Sequence, residues 1–303
     1  MRMPPYLKPG ARIGITCPAG AVSLETMTPM IQQLQDWGFE VYCGQNVGTS
    51  FGKFSSPDDV RLADLQALLD DDRIEAILFC RGGYGLVRIL DRINFSRFVQ
   101  NPKWLLGYSD ITYLHSHVNR QFEIVTGHTQ MSGGYLPDSY DVESIQSIFS
   151  LLSGKPLKYS FPSHPMNRCG QARGVLTGGN LAILSDLAGS LSEVDTSGKI
   201  LVIEDVGEYL YNIDRMLWQL KRAGKLDQLA GLVVGSFTDT KDNEISFGMD
   251  VCAMVEEKVK EYVYPVCYDF PVGHQARNVA LKLGAEHVLE ITETGCCLKE
   301  EVE

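Results

Sequence analysis

Apolar residues in the first half of the chain fall into two alternating rhythms. Short runs closed by glycine, proline or a polar residue (RIGITCPA, FEVYCG, EAILFC, WLLG and FEIVTGH) have the length and composition of buried strands. Between them, SLETMTPMIQQLQDWG and SSPDDVRLADLQALLDD carry apolar residues at helical spacing. Ser23 is placed to cap the first of these helices. Ser56, followed by Pro57 and two aspartates, marks the start of the second. LVRILDRI and the residues after GYSD read as two further helices. Strands alternating with helices predict a mostly parallel, doubly wound α/β sheet with right-handed crossovers.

The rhythm changes after about residue 135. PDSYDVESIQSIFSLLSG is still helical in period, but KPLKYSFPSHPMNRCGQARG is rich in proline and glycine and reads as a linker. GVLTGGNLAILSDLAGS then predicts a strand, a glycine turn and a short helix. KILVIEDVGE and LAGLVVGSFTD read as strands flanking the helix LYNIDRMLWQLKRAG. A further helix and several short strand-like pieces complete a second α/β unit whose strands are partly antiparallel. The expected division is residues 1–155, a linker at 156–172, and residues 173–303.

Composition narrows the partners. The 303 residues are 44% hydrophobic and 21% charged, enough apolar content to bury a sizeable core. A formal net charge of −11 with no Lys/Arg cluster argues against nucleic acid and favours a small molecule or peptide. MRMPPYLKPGARIGIT lacks the apolar core of a secretory signal, and no apolar run is long enough to span a bilayer. The expectation is a soluble cytoplasmic protein. Eight cysteines without a C-x-x-C pair, and six scattered histidines without H-E-x-x-H, give no metal-site spacing.

In an open α/β sheet, ligands bind beyond the carboxyl ends of the strands. Pro18-Ala19-Gly20, Arg81-Gly-Gly-Tyr-Gly85 and Gly107-Tyr-Ser-Asp110 each follow a strand, so they share one rim if the strands are parallel. The RGGYG glycines form a tight turn, a ligand cradle or part of an oxyanion hole; Arg81 beside them leaves open a contact to a substrate carboxylate. Ser109, between a strand and a helix, reads either as an N-cap or as a nucleophile on a sharp elbow, with the Asp110 N–H at the helix start. A serine nucleophile needs a base and an orienting group. Glu204 ends an apolar strand with Asp205 facing the other way, Glu208 lies close behind, and His274 sits in the loop DFPVGHQARN. The residues alone do not choose between Glu204 and Glu208.

Taken in order, RGGYG, GYSD, GGNL, IEDVGEYLYNIDRMLWQL and FPVGHQARN resemble the LD-carboxypeptidase family of serine peptidases, as do KPGARIGITCPAG and FGKFSSPDDVRLADLQALLDD. The resemblance runs from about residue 5 to the end. It implies a flavodoxin-like N-terminal domain, a smaller β-rich C-terminal domain and an active site between them, with no metal or organic cofactor and commonly a homodimer. It assigns a triad to Ser109, His274 and Glu204, and an oxyanion hole to the backbone N–H groups of Gly83 and Asp110. The implied substrate is a murein tetrapeptide that loses its terminal D-Ala in peptidoglycan recycling. Two other readings stand beside it: a microcin C-type immunity peptidase acting on an aminoacyl-nucleotide conjugate, and a non-catalytic module that only holds an anionic ligand.

Overall fold

The computed structural model describes residues 1–301. In the first half, β1 (Arg12–Thr16), β2 (Glu40–Cys43), β3 (Ile74–Phe79), β4 (Trp104–Gly107) and β5 (Thr126–His128) form a parallel sheet in the order β5-β4-β3-β1-β2. Helices α1 (Leu24–Asp36), α2 (Asp58–Asp70), α3 (Ser96–Gln100) and α4 (Thr112–Phe122) connect them. The strand order reverses between β1 and β3, as in flavodoxin-like sheets, and the crevice at such a switch point is where this architecture binds ligands. Ser23 caps α1 by accepting from the Thr26 N–H at 3.2 Å. The stretch LVRILDRI, expected to be one helix, is instead two single 3₁₀ turns, Leu86–Arg88 and Leu90–Arg92, and four of its apolar residues, Leu86, Ile89, Leu90 and Ile93, are buried.

After α5 (Val142–Ser153) the chain builds a second sheet from β6 (Lys158–Phe161), β7 (Gly170–Asn180), β8 (Ile200–Val206), β9 (Gly231–Thr238), β10 (Val266–Cys267), β12 (Glu286–Ile291) and β13 (Cys296–Glu300). The strands β10-β9-β8-β7 are parallel, and β7-β12-β13-β6 continue antiparallel. Helices α6 (Leu181–Asp186), α7 (Leu210–Arg222) and α8 (Val251–Val259) join and cover the parallel half.

Three further sequence expectations are corrected. The supposed linker carries β6, where Tyr159 and Phe161 are buried and Lys158 and Ser160 exposed; that period of two is a strand signal hidden between prolines. No turn interrupts TGGN, because β7 runs through Gly178 and Gly179 to Asn180. The remaining strand, β11 (Leu281–Leu283), returns to the first sheet and pairs antiparallel with β5. One apolar cluster accordingly runs through both sheets, from Ile13 and Trp104 to Val202, Phe270 and Leu298.

β11 also carries Lys282, whose buried ammonium donates to both carboxylate oxygens of Glu300 on β13, at 2.7 and 2.9 Å. Removing one partner of a buried pair leaves an uncompensated charge, which costs ~3–5 kcal/mol. Lys282→Met should therefore lower the unfolding free energy obtained from urea denaturation by an amount of that order, and the urea midpoint with it. Adding Glu300→Gln, which keeps an acceptor for the Leu157 N–H but removes the charge, should restore most of it. Equal midpoints for the single and double variants would contradict this account of how the sheets are tied.

Candidate active site

Ser109 stands just beyond β4 with φ +64°, in the left-handed region that side chains with a Cβ rarely adopt. Its hydroxyl does not cap α4: no side chain caps that helix or the 3₁₀ turn Ser109–Ile111 leading into it. The cap reading of this serine is thereby removed, and what is left is a hydroxyl held in a strained strand-to-helix elbow. The elbow is pinned from below. The carbonyl of Gly107 accepts from the Thr129 N–H at 3.2 Å and from His115 Nε2 at 2.9 Å. Burial holds the His115 pKa down, to about 3, so the ring donates to Gly107 as a neutral imidazole.

The three rim loops do meet. Gly20 N–H donates to the Gly82 carbonyl at 2.9 Å, joining the loop after β1 to the loop after β3. A Cβ on Gly82 would lie 2.8 Å from Ser109 Cβ and 3.0 Å from both Ser109 Oγ and the Asp110 nitrogen, so only glycine lets this backbone reach the elbow. Buried Arg61 ties the assembly together, donating to the carbonyls of Pro18, Ser56 and Gly85 and to Asp58. Asp110 does not cap its own helix with its carboxylate. Oδ2 accepts from the Leu86 N–H at 2.8 Å, fastening the glycine loop to the elbow. Burial raises the Asp110 carboxyl to about 6, against the opposing effect of that hydrogen bond.

The second sheet supplies a carboxylate and an imidazole. Glu204, on β8, is fully buried, and its Oε2 lies 2.7 Å from His274 Nδ1. Its aim comes from β9, where Gly235 and Ser236 bulge opposite Glu204: Ile203 pairs with Val234, but Asp205 pairs with Phe237. Gly273, with φ +111°, is required for the contact, since a Cβ there would come within 2.8 Å of Glu204 Oε2. Asp205 faces the other way, accepting from Asn180 Nδ2 and the Ala182 N–H, each at 2.9 Å. Glu208 is engaged elsewhere, accepting from Asn212 Nδ2 at 3.2 Å. Glu204 is therefore the carboxylate that meets His274.

Ser109, Gly83 and His274 line one cavity of about 1000 Å³. Tyr108 bridges the two halves, its ring 4.8 Å from that of His274. Among the described residues no hydrogen bond joins Ser109 to His274, a looseness common in sites without substrate. Nor is any group of three or more His, Cys, Asp or Glu side chains there placed to hold a metal ion.

Several supporting residues escaped the sequence reading. Asn278 Oδ1 accepts from the Gly273 N–H at 2.9 Å and from His128 Nε2 at 3.0 Å, fixing the loop that carries His274. Gln130 Nε2 donates to the carbonyls of Gln275 and Ala276, each at 3.2 Å. Thr112, at the start of α4, accepts from the Asn180 N–H at 3.1 Å, and a Cβ on Gly179 would sit 2.6 Å from its Oγ1. The motifs GGNL and GHQARN were the available signals for Asn180 and Asn278.

Comparison with known proteins identifies the family of the chain. Residues 13–129 match the model described as LD-carboxypeptidase N-terminal domain, and residues 173–289 the one described as LD-carboxypeptidase C-terminal domain. A murein tetrapeptide carboxypeptidase of Pseudomonas aeruginosa is 31% identical, the match covering 92% of this chain and 93% of that protein. The crystal structure of a muramoyltetrapeptide carboxypeptidase from Oxalobacter formigenes superposes with a TM-score of 0.86 at 25% identity, covering 96% of this chain and 99% of that one. An MccF-like protein from Bacillus anthracis reaches the same TM-score of 0.86 at 20% identity, over 99% of this chain and 100% of that one. At that identity the likeness speaks for the fold alone.

The position of Asp110 has a measurable consequence. An acid whose pKa is raised by folding, here from 3.8 to about 6, contributes most when protonated, and its share is lost as pH rises across that window. Asp110→Asn should remove this dependence, so that the variant gains up to ~3 kcal/mol relative to wild type between pH 4 and pH 7. Urea midpoints measured across that range would check it; a constant difference between the two proteins would contradict it.

Proposed function

We propose that this chain, which belongs to the LD-carboxypeptidase family, is a serine carboxypeptidase that hydrolyses the L-to-D bond before the terminal D-Ala of murein tetrapeptide. The observation that most supports this reading is the meeting, on one cavity, of a serine in a left-handed elbow with a buried carboxylate–imidazole pair. The names of the Pseudomonas and Oxalobacter proteins supply the substrate.

In this reading His274 Nε2 takes the proton from Ser109 Oγ as that oxygen attacks the scissile carbonyl. Glu204 holds Nδ1–H, fixing the tautomer and offsetting the positive charge that forms on the ring. The backbone N–H groups of Gly83 and Asp110 receive the oxyanion. Collapse of the tetrahedral intermediate breaks the C–N bond, and His274 returns the proton to the departing amine of D-Ala. A water molecule, deprotonated by His274, then attacks the acyl-serine; the same N–H groups stabilise the second intermediate and Ser109 leaves with the proton. Gly82 keeps the donor loop against the elbow, and Asp110 fastens it through Leu86. The cytoplasmic location and homodimer belong to the same proposal. No helix among the described residues is long and apolar enough to cross a membrane. A dimer would give twice the mass of one chain in light scattering.

Free D-Ala released from L-Ala-D-Glu-meso-diaminopimelate-D-Ala, followed by chromatography, tests the reaction. Ser109→Ala should lose at least ~10³-fold in turnover, and Glu204→Gln ~10³–10⁴-fold with the fold intact. The isomer with a D,D bond at the same place should be cut far more slowly. Equal rates on the two isomers, or undiminished release by Ser109→Ala, would overturn the proposal. Turnover of an aminoacyl-nucleotide conjugate in place of the tetrapeptide would move it to the immunity reading.

A further inference from the structure

A carboxypeptidase differs from an endopeptidase by what recognises the free carboxylate, which in D-Ala lies only two bonds from the leaving nitrogen. A group that reads it must therefore stand close to the nucleophile. Arg81 is the single lysine or arginine lining the cavity. It immediately precedes Gly82, whose missing side chain would touch Ser109 Oγ at 3.0 Å. Most other arginines described here serve carboxylates of the protein, among them Arg12, Arg61, Arg73, Arg88, Arg92, Arg97 and Arg168. Arg81 has no such partner among the described residues. Its one hydrogen bond, Nη1 to the Ala21 carbonyl at 2.7 Å, anchors the guanidinium at the rim and leaves Nε and Nη2 free to donate. Among the described residues the cavity's one aspartate or glutamate is Asp239, and it forms no hydrogen bond or ion pair with Arg81.

We propose that Arg81 is the specificity residue for the C-terminal carboxylate of the substrate, gripping it through the fork of N–H groups left free by Ala21. This rests on the carboxypeptidase reading above. The geometry has a chemical reason. A positive group on the same loop as the oxyanion donor Gly83 places the leaving D-amino acid relative to the nucleophile, whatever the acyl side carries. Arg81 is exposed and uses one hydrogen bond in the folded protein, so replacing it should leave the fold unchanged.

The experiment compares the tetrapeptide ending in a free carboxylate with the same peptide ending in D-alaninamide, using wild type, Arg81→Gln and Arg81→Lys. Wild type should prefer the free acid. Arg81→Gln should lose ~10–100-fold in kcat/KM on the acid, mainly through KM, while its rate on the amide changes by no more than ~3-fold. Arg81→Lys should recover part of the preference. Equal losses on acid and amide would assign Arg81 to holding the loop and overturn the proposal, as would an unchanged preference. Binding of both peptides to Ser109→Ala, with and without Arg81→Gln, is measured by calorimetry. If wild type releases nothing, yet Ser109→Ala binds the acid in an Arg81-dependent way, the reaction is wrong and the carboxylate site stands. If neither peptide binds, the Arg81 assignment falls too.

Discussion

A carboxylate with no exposure to water dictates the design of this site. Burying an ionised Glu204 costs several kcal/mol unless it is paired and hydrogen-bonded, and His274 provides that pairing at 2.7 Å. The contact is available only because neighbouring backbone gives way. β9 bulges at Gly235 and Ser236, Gly273 offers no Cβ, and Asn278 ties the Gly273 N–H in place. Each of these would be an unexplained irregularity if Glu204 were an ordinary strand-end residue. Together they hold one imidazole in one orientation beside Tyr108 and the Ser109 elbow.

The elbow itself belongs to the other sheet, so the cavity exists only if the two sheets hold a fixed relation. Contacts on several sides supply it. Thr112 meets Asn180 at the start of α4, Gln130 holds the carbonyls beyond His274, and Asn278 reaches both His128 and, through its N–H, Ser144. The return of β11 to the first sheet carries Lys282 across to Glu300. Polar contacts of this kind are directional, and the shared apolar cluster beneath them is not. The cluster brings the halves together; the hydrogen bonds decide their register.

Much of this was legible in the chain. The alternation of apolar strands and amphipathic helices up to residue 135 gave the parallel sheet, and loops at the ends of β1, β3 and β4 had to share a rim. The misreadings have local causes. Prolines on either side masked the alternation in KYSF, and two glycines in TGGN resembled a turn although they lie within β7, where Gly179 makes room for Thr112. LKL, three residues long, carries too little pattern to reveal which sheet it joins. Asn278 stood inside the motif GHQARN, but its role stayed hidden because a buried asparagine announces itself only through its partners.

By itself, then, the sequence determined the α/β class, the strand ends where chemistry gathers, and, through its motifs, the family. The first two follow from periodicity and turn chemistry, which act over a few residues; the family follows from the resemblance its motifs carry. Tertiary structure decided the rest. It removed the helix-cap reading of Ser109 by placing that residue at φ +64° with its helix uncapped, and it matched His274 with Glu204 in preference to Glu208. The pairing of His274 with Glu204 depends on a β-bulge and on side chains meeting across 70 residues of chain. No local pattern encodes such a meeting, because it is fixed only when whole sheets have packed.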